Sequence, residues 1–156
     1  MPGRHIRVTI PGTYAEVCFV RRVLPLVAVD LAFPQATLLR LEICLTEALH
    51  NVIRHGYAGL EGQEIEVTFH ALEGRLVIEI ADRGAPMPET ARKSLRARHV
   101  PVRPRAQDVA ALPVGGLGIP ILREVMDDIE YRRDGDRNVL TLMKRTEALA
   151  ESDSSR

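Results

Sequence analysis

Two runs of apolar–polar alternation, residues 64–71 and 75–82, stand either side of the dipeptide Glu73-Gly74. Alternation sends successive side chains to opposite faces of a strand. It collects Ile65, Val67, Phe69 and Ala71 on one side of the first run, and Leu76, Ile78 and Ile80 on one side of the second. A tight turn between such runs specifies a β-hairpin with one apolar face. That face needs a second layer to cover it, so the chain must build a sheet with something packed on one side.

The rest of the sequence supplies that layer. Residues 5–10 alternate and stop at Pro11-Gly12, which predicts a short strand. Thr13 is a suitable N-cap for a helix to about residue 31, with Pro25 inside it expected to kink or split it. A second helix is predicted over 35–55, because Leu38, Leu41, Leu45, Ala48 and Val52 recur at helical spacing, and Gly56 and Gly59 end it. Regularity falls over 83–114, where Pro86, Pro88, Pro101, Pro104 and Pro113 leave room for one short helix near 89–98. A third helix is expected over 117–126, then strands at 128–133 and 138–144 around Asp134-Gly135-Asp136. Residues 1–146 read as one domain and the polar residues 147–156 as a disordered tail. The order β-α-α-β-β-loop-α-β-β predicts an α+β fold: a two-layer α/β sandwich whose sheet is mixed and mostly antiparallel, with the helices on one face.

Composition narrows the function classes. Lys plus Arg and Asp plus Glu number 21 each, so no global field steers the chain to nucleic acid or an anionic membrane. Three Tyr, three Phe and no Trp argue against stacking platforms for single-stranded nucleic acid. Cys18 and Cys44 lack metal-ligand spacing and read as buried free thiols, which fits a reducing compartment. The N-terminal MPGRHIRVTIP lacks a signal peptide's apolar core, and no run nears the roughly 20 apolar residues of a membrane helix. The expectation is a soluble, cytoplasmic protein.

Three short boxes carry chemistry. In Glu47-Ala-Leu-His-Asn51 the first and last residues lie one helical turn apart, with Asn51 at the edge of the apolar stripe and Glu47 further out. A neutral amide oxygen beside phosphates and water suits Mg²⁺, and a nearby carboxylate can take a proton from an attacking hydroxyl. An ordinary helix with a solvated Glu and Asn is the plain alternative. In Asp82-Arg-Gly84-Ala-Pro86, Asp82 shares parity with Leu76, Ile78 and Ile80, so a carboxylate continues the apolar face. A buried carboxylate requires a hydrogen-bond donor, and the amino group of adenine is one. Gly84 would let backbone approach a flat base, although Asp-x-Gly is also common in turns. In Gly115-Gly116-Leu117-Gly118-Ile119 the glycines open a helix and expose N–H groups to an anion; a hinge before a helix is the alternative. Between the last two boxes lie Arg92, Lys93, Arg96, Arg98, His99, Arg103 and Arg105 against only Glu89 and Asp108, a basic segment that reads as a lid or as a solvated loop.

The three boxes, in this order on a helix, a strand end and a helix start, resemble the GHKL (Bergerat-fold) ATPases, which include gyrase, histidine kinases and the mismatch-repair protein MutL. Within that group, residues 45–57 and 116–127 look like the small serine protein kinases that act as anti-sigma factors. The resemblance implies ATP and Mg²⁺ as cofactors, with Asn51 as the metal ligand and Glu47 as the base for a serine hydroxyl. It implies that Asp82 binds the adenine amino group, that Gly84 lines the base pocket, and that Gly116 and Gly118 meet the phosphates. His55, Pro86, Met87, Gly115, Leu117, Ile119 and Thr141 would complete the ATP-binding set. His55 could equally serve local packing or capping. Pro86 stands where a second glycine is usual, and Pro25 departs from the pattern in a region that meets partners or a second subunit.

The family's logic is partner switching. The kinase holds a sigma factor or another target, and it phosphorylates a STAS-domain antagonist on serine to end that binding. A homodimer is the common state. The other reading is a protein-sequestering module, nucleotide-binding or nucleotide-independent, without kinase activity. The ATP-binding half of a histidine kinase is a third, weakened because no phospho-acceptor helix pair precedes the boxes.

Overall fold

The computed structural model describes residues 3–96 and 118–147. Along the chain run strand β1 (Arg4–Pro11), helix α1 (Tyr14–Val27), a 3₁₀ turn (Ala28–Leu31), helix α2 (Gln35–Asn51) and a π turn (Val52–Gly56). Then come β2 (Glu64–Leu72), β3 (Arg75–Asp82), α3 (Glu89–Arg96), α4 (Gly118–Val125), β4 (Asp128–Asp134) and β5 (Arg137–Arg145). The strands form one five-stranded sheet in the order β1-β2-β3-β5-β4. Its pairings are all antiparallel, where the sequence left a mixed sheet open.

The registers sort every strand residue onto a face. Ile6, Val8 and Ile10 pair with Phe69, Val67 and Ile65, which pair in turn with Ile78, Ile80 and Asp82. Those meet Leu142, Leu140 and Asn138 on β5. Val17, Val20, Leu24 and Val27 of α1, and Leu41, Leu45, Ala48 and Leu49 of α2, are buried and join this face in one core. The opposite face carries Arg7, Glu66, His70 and Glu79, with ion pairs Arg137–Glu66 at 2.8 Å and His70–Glu79 at 3.0 Å. Two layers with the helices on one side are therefore a consequence of the alternation.

Helix ends differ from expectation in two places. Thr13 caps α1 as predicted, its hydroxyl accepting from the Glu16 N–H at 3.2 Å. Pro25 does not split α1, which runs through to Val27 before tightening into the 3₁₀ turn. The one helical bond that proline cannot make would end on the carbonyl of Arg21, an exposed residue. The second helix is not regular to His55: it is α-helical only to Asn51, and then the Tyr57 N–H reaches back to the Val52 carbonyl at 2.9 Å. A π turn of this kind widens the helix by a residue and redirects the chain as it leaves. The residues 97–117, including Gly115, Gly116 and Leu117 and most of the basic lid, lie outside the described residues, as does the tail from 148. Among the described residues no helix is long and apolar enough to cross a membrane.

Candidate functional site

A cavity of about 270 Å³ opens between the end of α2, the end of β3, α3, the start of α4 and the β4–β5 hairpin. Ala48, Asn51, Val52 and His55 form one wall, and Pro86, Met87, Ala91 and Leu95 form another. Ile119 and Leu122 of α4 and Tyr131, Asn138 and Leu140 of the last hairpin complete it. Most of this lining is apolar, with a few polar groups set into it, which is the usual build of a small-molecule site.

Asp82 is 9% exposed and lines this cavity. Its Oδ1 accepts from the Gly84 N–H at 2.8 Å and from Asn138 Nδ2 at 2.9 Å. Both bonds fall on one oxygen, so Oδ2 takes no donor from the described residues. A nearly buried carboxylate with one satisfied and one open oxygen is a built acceptor for a ligand N–H.

Gly84 stands elsewhere than the prediction put it. A Cβ on Gly84 would lie 2.4 Å from the carbonyl oxygen of Gly56. That same carbonyl accepts from the Ala85 N–H at 2.7 Å. Gly84 therefore permits the strand end to lie against the π turn of its own chain, and it does not line the cavity. A Cβ on Gly118 would lie 2.7 Å from Asn51 Nδ2, so α4 begins directly on the Asn51 amide. That places two of the three boxes in contact.

Asn51 is half-buried in the cavity wall, and its side chain makes no hydrogen bond with the described residues. An unbonded amide oxygen there fits one ligand position of Mg²⁺. No group of three or more His, Cys, Asp and Glu side chains among the described residues could hold a metal, so such an ion would take most of its oxygens from phosphate and water. Glu47 is half-buried one turn earlier on α2 and stands outside the cavity wall. Its charge is felt locally: burial pushes the Cys44 thiol up to about 12 with Glu47 adding to the rise, and burial lowers His50 while Glu47 opposes it. His55, Pro86, Met87 and Ile119 all line the cavity. Thr141 does not. It pairs with Glu79 and Glu130 on the opposite face of the sheet, one residue out of phase with Leu140 and Leu142.

The residue that the sequence reading missed is Asn138. It is 3% exposed and pairs with Asp82 across the strands. Its Oδ1 accepts from the Tyr131 hydroxyl and from Arg133 Nη1, each at 2.7 Å. Tyr131 in turn accepts from the Met87 N–H at 2.9 Å, and the Arg92 guanidinium lies 5.6 Å from its ring centroid. The signal was available: Asn138 shares parity with Leu140 and Leu142, the same argument that singled out Asp82. Tyr57 fixes the back of the site, donating to the Glu64 carbonyl at 2.6 Å and accepting from the Arg83 N–H at 2.9 Å.

Comparison with known proteins shows the family and the fold. A family model described as the histidine kinase-like ATPase domain matches residues 10–144. The chain is 28% identical over 145 residues to the serine-protein kinase RsbW of Listeria innocua, covering 90% of this chain and 89% of that one. It is 30% identical over 135 residues to the RsbW of Bacillus mycoides, covering 86% and 81%. Among solved structures, the SiaB–SiaC complex from Pseudomonas aeruginosa aligns with a TM-score of 0.62 at 13% identity, over 89% of this chain and 88% of that one. The RsbU and RsbW domains of a Mycobacterium tuberculosis protein align with a TM-score of 0.60 at 15% identity, over 91% of this chain and 32% of that one, so this chain spans about a third of that protein. At such identities the two structures speak for the fold alone. The chain belongs to the histidine kinase-like ATPase domain family, among its RsbW-type serine-protein kinases.

Proposed function

We propose that this chain transfers the γ-phosphoryl group of ATP to a serine of a STAS-domain antagonist, and that it sequesters a sigma factor or similar target when that antagonist is phosphorylated. One observation carries the reading most: Asp82, which keeps one oxygen open, and Asn51, whose amide is unbonded, line the same apolar cavity. The amino group of adenine would donate to Asp82 Oδ2, and the base would lie against Met87 and Leu140. The phosphates would extend toward Asn51 and the start of α4. Bound there, Mg²⁺ would neutralise charge on the β- and γ-phosphates, held on the protein side by Asn51.

Glu47 is the proposed base. It would accept the serine hydroxyl proton as the serine oxygen attacks the γ-phosphorus and ADP departs. Its place one turn from Asn51, outside the cavity wall, suits a group that meets an incoming protein serine at the phosphate end. The relatives' names support the serine chemistry. The test is transfer from labelled ATP to the cognate STAS protein by the wild type and by Glu47→Ala. Transfer is expected to fall by about 100-fold or more in the variant, on the scale of a lost general base, with ATP affinity retained. Binding of both partners without any transfer by the wild type would leave sequestration alone as the function.

A further inference from the structure

The strongest unassigned feature is the buried polar chain behind Asp82. Asn138 is oriented without ambiguity. Its Nδ2 faces acceptors only, Asp82 Oδ1 at 2.9 Å and the carbonyls of Gly84 at 3.1 Å and Ala85 at 3.4 Å. Its Oδ1 faces donors only, Tyr131 and Arg133. A flipped amide would set oxygen against the carboxylate, so the network fixes the assignment. The next links are the Tyr131 hydroxyl, the Met87 N–H, and Arg92, whose Nε donates to the Met87 carbonyl at 3.1 Å. Met87 lines the cavity and Arg92 belongs to α3. One continuous set of hydrogen bonds thus runs from the carboxylate to the cavity's second wall.

We infer that Asn138, held by Tyr131 and Arg133, is the positioning residue that makes Asp82 selective for a 6-amino purine. This rests on the nucleotide reading of the cavity. Asn138 and the Gly84 N–H occupy Oδ1 and lock the carboxylate's rotation, so only Oδ2 is presented, and it can only accept. A 6-amino group satisfies it. A 6-oxo group sets oxygen against oxygen, and the locked carboxylate cannot turn away. Without Asn138 the carboxylate loses one of its two anchors and can rotate, so discrimination falls while the cavity stays.

The experiment is calorimetric titration of the full chain with ATP and with ITP, its 6-oxo counterpart, each with Mg²⁺. The wild type is expected to prefer ATP, and Asn138→Ala to lower the ATP-to-ITP affinity ratio by about 10-fold, the scale of a lost hydrogen bond to a charged group. A purely structural loss would weaken both nucleotides alike and leave the ratio unchanged. Asn138→Asp keeps the shape and guards against a misfolded alanine variant. There two carboxylates meet at hydrogen-bond distance and must share a proton. The charged and titratable groups around that pair, among the described residues, are Arg133 and Tyr131 on β4, Arg137 on β5, Glu64 and Glu66 on β2, Tyr57 beyond the π turn and His55 in the cavity wall, while Arg83 is held by Asp136. The ratio of Asn138→Asp to wild-type ATP affinity, in which groups common to both cancel, is therefore expected to rise as pH falls from about 8 to about 6. A wild type that discriminates, with both variants discriminating equally and the Asn138→Asp to wild-type ratio flat with pH, overturns this inference alone. A wild type that binds neither nucleotide overturns the cavity reading and this inference together.

Discussion

Gly84→Ala is expected to be the most damaging single-methyl change near the site, and Gly56→Ala, its contact partner, is expected to be mild. At Gly84 a Cβ would stand 2.4 Å from the Gly56 oxygen and 2.5 Å from its carbonyl carbon, both backbone atoms. Relief to ordinary contact requires a backbone shift of about 1 Å, in a packed region that yields little. The shift would break the Ala85–Gly56 hydrogen bond of 2.7 Å and disturb the Gly84 N–H to Asp82 bond. Overpacking costs roughly 1–3 kcal/mol and each lost hydrogen bond roughly 1 kcal/mol, so about 2–4 kcal/mol is expected. At Gly56 the nearest atom to a Cβ is Asp82 Oδ1 at 3.5 Å, an ordinary contact, so Gly56→Ala should cost about 1 kcal/mol or less. Denaturant unfolding of the two variants beside the wild type reads both numbers. Equal stabilities for the two, or a Gly84→Ala loss under about 0.5 kcal/mol, would refute the claim that Gly84 exists for the π-turn contact. It would return this glycine to the role of approaching a ligand.

Three further outcomes are expected. If Asn51 holds Mg²⁺ as proposed, Asn51→Ala should abolish the magnesium dependence of ATP binding while leaving adenosine affinity within about threefold; calorimetry with and without Mg²⁺ decides it. Cys18, which is exposed and not buried as the sequence suggested, should be alkylated in the native protein, while Cys44 should resist because burial holds its thiol protonated. Its folded value of about 12 lies above the unfolded 9.0, so this contribution to stability is full below pH 9 and is lost as pH rises toward 12; Cys44→Ala should flatten that alkaline decline in unfolding measurements. Tyr57→Phe should cost about 1–2 kcal/mol, since its hydroxyl joins the Glu64 carbonyl to the Arg83 N–H, and unchanged stability would remove that clamp from the account.

The layers of this fold were legible because period-two and period-3.6 patterns state which side of an element is dry. The alternation of β2 and β3 gave their faces, and the apolar spacing of α2 gave the side that covers them. The π turn was not legible. Residues 52–56 carry no composition that distinguishes a π turn from an α turn, and its cause is tertiary: the Gly56 carbonyl is drawn to the Ala85 N–H, and the wider turn places it there. For a related reason Pro25 does not split α1: the buried residues on either side, Leu24 and Val27, hold α1 to the core.

For the site, strand parity decides which polar residues reach the dry face. It set Asp82 on the core face, where the carboxylate is found. Applied to β5 it would have rejected Thr141, which is out of phase with Leu140 and Leu142, and it would have selected Asn138, which is in phase with them. A polar residue on the dry side of a central strand must find partners there, and Asn138 finds five polar groups within 3.4 Å. That satisfied network lets Asp82 keep one oxygen open inside an apolar wall. The open oxygen of Asp82 is therefore a property of the β3–β5–β4 arrangement, and a box of residues around Asp82 alone is too short to encode it.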